Sequence, residues 1–123
     1  MAKLHSFEEI IAWQKARELN AEIYRITNNN EIFTRDYGLR DQMRRSSISI
    51  SSNIAEGFER ETTKEFIRFL YIAKASAGEF RSQLYLASDL KYISDYEFQG
   101  LSLKINDISK LLSGFIKYLA GTL

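Results

Sequence analysis

Across residues 95–119, apolar side chains recur in steps of three and four, Phe98, Leu101, Ile105, Ile108, Leu112, Phe115 and Leu119, with Ile116, four residues after Leu112, as an eighth. At about 100° per residue they gather on one face of an α-helix, an arrangement a pleated strand cannot give them. The same period runs through Phe66, Phe69, Leu70, Ala73, Ala77, Phe80, Leu84 and Ala87, predicting a helix over residues 63–91 that at about 1.5 Å per residue would span roughly 40 Å. A third stripe, Ala12, Ala16, Leu19, Ile23 and Ile26 with Trp13 at its margin, predicts a helix over residues 7–27, ended by the NNNEIF segment. Stripes of this kind must be buried against one another, which means helix on helix. The 123 residues contain no proline, the residue that costs a helix interior about 3 kcal/mol.

The segment RRSSISISSNIAEGFER, residues 44–60, looks different because five serines fall within seven residues and alternate with isoleucine like a half-buried strand. A lone strand would have no partner, however. At the helical period Leu39, Met43, Ile50 and Ile54 lie within about 60° of each other. The segment is therefore predicted to belong to a helix over residues 36–56, with Gly57 as its C-terminal glycine. Serine costs such a helix a few tenths of a kcal/mol per residue, and its small size lets a neighbouring helix come close. Ser6-Phe7-Glu8-Glu9, Thr62-Thr63-Lys64-Glu65 and Ser94-Asp95-Tyr96-Glu97 have the form of capping boxes and mark three of the four helix starts. Short second and third connections then predict an all-α, antiparallel up-down-up-down four-helix bundle in one domain, residues 1–123.

Two of these helices are apolar on more than one side. In the second, Tyr37, Ile48 and Ala55 project away from the core stripe; in the third, Ile67, Tyr71 and Tyr85 form a second line that includes Gly78. Scattered surface hydrophobes would account for this, but two apolar faces more often mean two burials, the second supplied by another chain. These six residues are the candidate oligomer interface.

Seventeen basic residues against sixteen acidic ones leave a net charge of +1, so attraction to nucleic acid must come from a local cluster. Arg35, Arg40, Arg44 and Arg45 form one such cluster, with Lys64 and Arg68 as an extension. Arg40 and Arg44 sit one turn apart, at a spacing that would let them grip successive phosphates. Solvated arginines or ion pairs across a subunit boundary are the competing reading. Asn53, near the core side of the second helix, and Glu56 at its edge need hydrogen-bond partners, which Ser76, Glu79 or Gln83 could supply.

Catalysis finds little support. His5 is the only histidine, cysteine is absent, and no zinc, phosphate-loop or dinucleotide motif occurs. Glu56, Glu79 and Asp89 would have to converge across helices to bind a metal or move protons. The expectation is a non-enzyme without a cofactor. MAKLHSFEEI does not resemble a signal peptide and no apolar run reaches about 20 residues, so the expected location is cytoplasmic, with no membrane partner.

FEEIIAWQKARELNAEIY, YGLRDQMRRSSISISSNIAEGFER and KEFIRFLYIAKASAGEFRSQL, together with the closing amphipathic helix, resemble the four-helix-bundle proteins encoded in intervening sequences of some bacterial 23S ribosomal RNA genes. The Trp13-Gln14-Lys15-Ala16, Asn53-Ile54-Ala55-Glu56-Gly57 and Phe66-x-x-Phe69-Leu70 blocks carry the likeness. The resemblance implies a homopentamer without established enzymatic activity. A basic pentameric relative, the accessory protein of diversity-generating retroelements, works with a reverse transcriptase, which implies RNA, DNA or a nucleic-acid-processing protein as partner. This chain has serine where family members often carry proline, in Ile50-Ser51-Ser52, and lacks the relative's strong positive charge. The functional expectation is a homo-oligomeric scaffold presenting the arginines of the second helix to RNA or DNA. The alternative is a protein-only assembly or adaptor module.

Overall fold

The computed structural model describes residues 3–123. A 3-10 turn, Phe7–Glu9, leads into α1 (Ile11–Asn29), α2 (Glu31–Arg35), α3 (Tyr37–Phe58), α4 (Thr63–Asp89) and α5 (Asp95–Ala120); the described residues contain no strand. The serine-rich segment is helical throughout. The long helix α3 packs against α1 and α4, and α5 closes the arrangement against α4 and α1. One apolar cluster runs through all four, with Leu19, Ile23, Met43, Ile50, Ile54, Leu70, Phe80, Leu84, Ile105 and Ile108 fully buried. Burial of each such side chain is worth roughly 1.5–3 kcal/mol.

Three helix ends differ from the sequence expectation. Ser6 makes no cap hydrogen bond; Glu9 instead accepts from the His5 amide at 3.3 Å, and the chain turns extended at Ile10 before α1 begins. Thr62 accepts from the Glu65 amide without the reciprocal bond, so only Ser94 and Glu97 form a full capping box. Gly57 does not end α3. It lies inside the helix, buried, where an added Cβ would sit 2.6 Å from Phe69 Cβ and 3.0 Å from Phe66 Cδ1. Its missing side chain lets α4 cross closely, and no glycine in the described residues has positive φ.

The turn after α4 does need the left-handed region, and Lys91 occupies it at φ 60°. The Tyr92 amide donates to the Ala87 carbonyl and the Lys91 amide to that of Ser88, the pairing of a Schellman C-cap. Unforeseen was α2, which inserts Phe33 beneath this turn. Phe33 is buried against Tyr92 with ring centroids 5.1 Å apart. Asn30 fastens the corner, its Oδ1 capping α2 at the Phe33 amide and its Nδ2 donating to the Tyr92 carbonyl at 2.7 Å.

Candidate interaction surface

The serines of α3 fall on both flanks of its apolar stripe. On the α1 side, buried Ser47 donates to Asn20 Oδ1 at 2.6 Å, and Asn20 Nδ2 donates to Ser51 Oγ at 2.9 Å. On the α4 side, Ser46 donates to Gln83 Oε1 at 2.7 Å and Ser76 to Ser49 Oγ at 2.9 Å. No buried side-chain nitrogen or oxygen among the described residues lacks a partner. The serines therefore do more than permit close approach: they bond α3 to both neighbours.

Several anticipated roles change at this layer. Asn53 donates to its own helix, to the Ser49 carbonyl at 2.8 Å and Oγ at 3.0 Å, rather than to α4. Ser76 and Gln83 do bond α3, but through Ser49 and Ser46. Glu56 is exposed and paired with Arg60 at 3.2 Å, and Glu79 is exposed. Neither is a buried carboxylate, and no three acidic or imidazole side chains converge among the described residues. Sequence reasoning passed over Asn20; its one signal is a polar residue one turn beyond buried Ala16.

Two of the clustered arginines are held by contacts to neighbouring helices. Arg44 donates from Nε to Thr27 Oγ1 at 2.9 Å and from Nη2 to Asn28 Oδ1 at 2.8 Å, with its guanidinium 4.5 Å from the centroid of Tyr24. Arg40 donates to the Thr34 carbonyl at 3.0 Å and Asp41 at 2.9 Å, and lies over Tyr37. Each guanidinium thus commits two of its five donors, and its orientation, to the fold. Arg35 pairs with Glu31 at 2.7 Å, and Arg68 lies near Phe69. Arg45 and Lys64 are exposed and make no ion pair among the described residues. Arg45 rims a shallow depression that Tyr24, Arg44 and Ile48 also line.

Outside the layer lies the second apolar line. Tyr37 is 64% exposed, Ile48 38% and Tyr71 56%, while Ala55 and Ile67 are half-buried. Tyr85 is partly accounted for within the chain, since its ring meets Phe98 edge-on at 5.3 Å. Gly78 is open, with nothing within 4 Å of an added Cβ. No helix is long and apolar enough to cross a membrane among the described residues.

Comparison with known proteins agrees with this architecture. The chain is similar to a crystal structure from Bacteroides thetaiotaomicron VPI-5482, described as a protein of unknown function from the S23 ribosomal protein family. The two share 26% identity with a TM-score of 0.81 over 87% of this chain and 96% of that one. No curated protein matches it. Residues 8–114, covering the serine-rich segment, its partners and both outer lines, match the 23S rRNA-intervening sequence protein family. The chain belongs to the 23S rRNA-intervening sequence protein family.

Proposed function

We propose that this chain is a non-enzymatic helical scaffold, an antiparallel up-down-up-down bundle that assembles with copies of itself and works through protein contacts. Pairs in reversed chain order support the antiparallel reading: Lys15–Asp107 with Glu22–Lys104, and Asn20–Ser47 with Thr27–Arg44. The observation that carries the assembly is the exposure of Tyr37, Ile48 and Tyr71 on helices whose opposite sides are already packed. Five copies is the number that the family resemblance implies. In light scattering the wild-type chain is expected to run as a multiple of 14.3 kDa, and Tyr71→Glu as a smaller species of unchanged helicity. A wild-type chain monomeric at high micromolar concentration refutes the scaffold.

Nucleic-acid binding is the second reading, favoured by one observation: Arg45 and Lys64 are unpaired and would be repeated around a ring. Binding through them must weaken steeply with salt, because neutralised phosphates release counterions. Arg45→Glu is expected to abolish it, whereas Arg44→Glu acts first on folding by stripping Thr27 and Asn28 of their donor. RNA affinity that is flat between 50 and 200 mM salt, or unchanged in Arg45→Glu, removes this reading.

A further inference from the structure

We propose that the outer face of α5 is a docking surface separate from those of α3 and α4, and that its occupant is α5 of a second copy, lying antiparallel about a two-fold axis. Leu103 is 72% exposed and Tyr118 45% exposed on this face. Between and beyond them Gly100 and Gly114 leave open space, with nothing within 4 Å of an added Cβ. All four lie within about 60° around the helix. Each glycine borders a groove. That at Gly114 is apolar, about 420 Å³, lined by Ile11, Leu111 and Phe115; that at Gly100 is about 800 Å³ and more polar. A glycine inside a helix costs about 1 kcal/mol relative to alanine, and the packing of a single chain uses neither of these two.

Charge identifies the occupant. Lys110 makes no ion pair among the described residues, and Asp107 on the preceding turn is exposed, bridged only to Lys15 at 3.0 Å. A two-fold axis midway between them sets Asp107 against Lys110 of the second copy and forms that pair twice. The same register sets Leu103 against Gly114 of the second copy, so that a protruding leucine meets the apolar groove. It also brings Tyr118 to within one residue of Gly100. Charge and shape thus converge on one alignment of the helix with itself, the self-complementarity that a two-fold interface requires. A face with both signs of charge at its centre and apolar contacts on either side suits no polyanion.

The chain has no cysteine, so introduced thiols report contacts unambiguously. Under mild oxidation the Leu103→Cys/Gly114→Cys variant is expected to become a covalent dimer through reciprocal disulfides. Leu103→Cys alone is expected to stay uncrosslinked, because in this register its two copies lie 11 residues apart along the axis, about 16 Å, against a Cα limit of about 7 Å for a disulfide. In sedimentation, Lys110→Asp should weaken the association at least tenfold and Asp107→Lys/Lys110→Asp should restore it. Adding Tyr71→Glu to the double-cysteine variant tests independence from the α3 and α4 faces, and the cross-link yield should not change. The proposal is overturned by a double-cysteine variant that stays uncrosslinked, by equal cross-linking of Leu103→Cys alone, by a charge swap that fails to restore association, or by a cross-link that disappears with Tyr71→Glu.

Discussion

Replacing Gly57 by alanine tests how tightly α3 and α4 cross. An alanine Cβ would lie 2.6 Å from Phe69 Cβ, 3.0 Å from Phe66 Cδ1 and 3.3 Å from the Phe66 carbonyl oxygen. Favourable carbon contacts fall near 3.5–4.0 Å, so about 1 Å of overlap must be relieved at Phe69. Rotation cannot relieve it, because a Cβ is fixed to the backbone; the start of α4 has to move. Phe66 would go with it, and its ring stacks edge-on with Phe58 at 5.9 Å and with Phe115 at 5.4 Å. Overpacking of this kind costs about 1–3 kcal/mol, against which alanine returns about 1 kcal/mol of helix propensity.

At a Cβ–Cβ approach of 2.6 Å the overpacking belongs in the upper part of that range, about 2–3 kcal/mol, so the net destabilisation should be about 1–2 kcal/mol. With an unfolding entropy of about 2.1 cal/mol/K per residue, 123 residues lose roughly 4 °C of Tm per kcal/mol, so Gly57→Ala should melt about 4–8 °C lower. Gly78→Ala is the control. It meets nothing within 4 Å and should gain about 0.5–1 kcal/mol, or about 2–4 °C. Thermal unfolding followed by circular dichroism reads both, at several concentrations so that association does not masquerade as stability. A Gly57→Ala chain as stable as wild type, or a Gly78→Ala chain that falls as far, refutes the close-crossing argument.

Three other perturbations are equally specific. Asn20→Leu leaves buried Ser47 without its acceptor and should cost about 1–2 kcal/mol in urea unfolding; adding Ser47→Ala and Ser51→Ala should recover most of the loss, since removing all partners is cheaper than orphaning one. Lys91→Gly relieves a left-handed conformation that costs a side-chain-bearing residue about 1–2 kcal/mol, and should raise Tm by a few degrees in a calorimetric scan. The phenol of Tyr92, hydrogen-bonded to Asp36 at 2.9 Å, is held above its ordinary range by that bond, then by burial and by the Asp36 charge. The folded chain therefore keeps this proton when the unfolded chain has lost it. The resulting stability is fully present below the ordinary tyrosine value and is lost as pH rises above it through the raised value of the folded chain, so wild type should converge toward Tyr92→Phe at alkaline pH in denaturant titrations. Parallel pH profiles for the two chains contradict the Asp36 contact.

Features carried by a period within one helix were legible in the sequence; features that depend on a second helix were not. The stripe of α5 and its capping box announce the helix unaided, and α5 runs over the predicted residues to within one position. By contrast, α2 has five residues, too few for a period, and its single core contribution, Phe33, is explained only by Tyr92 above it. A glycine near a helix end reads as a terminator, and only the position of Phe69 on another helix shows that Gly57 has a different purpose. Arg40 and Arg44 look like a free pair until Thr34 and Thr27 are seen to take their donors.

The serines are the sharpest case, because the property that made them ambiguous is the one the fold uses. A stripe of leucine and isoleucine alone would hold α1 against α3 in registers one turn apart at similar cost, since apolar contact has no direction. Asn20 removes that freedom. Its amide oxygen takes the Ser47 proton and its nitrogen reaches Ser51, so both of its polar atoms are satisfied only when it sits between serines one turn apart. Sliding α1 by a turn would set one end of the amide against Ile54 or Met43 and orphan a buried hydroxyl, at about 1–3 kcal/mol per group. Ser46 with Gln83 and Ser49 with Ser76 apply the same restriction on the other flank. Positions 46–52 therefore fix how far each neighbouring helix is advanced. That setting determines where Ile48 and Tyr71 emerge on the surface, so the polar layer governs the geometry of any assembly built on them.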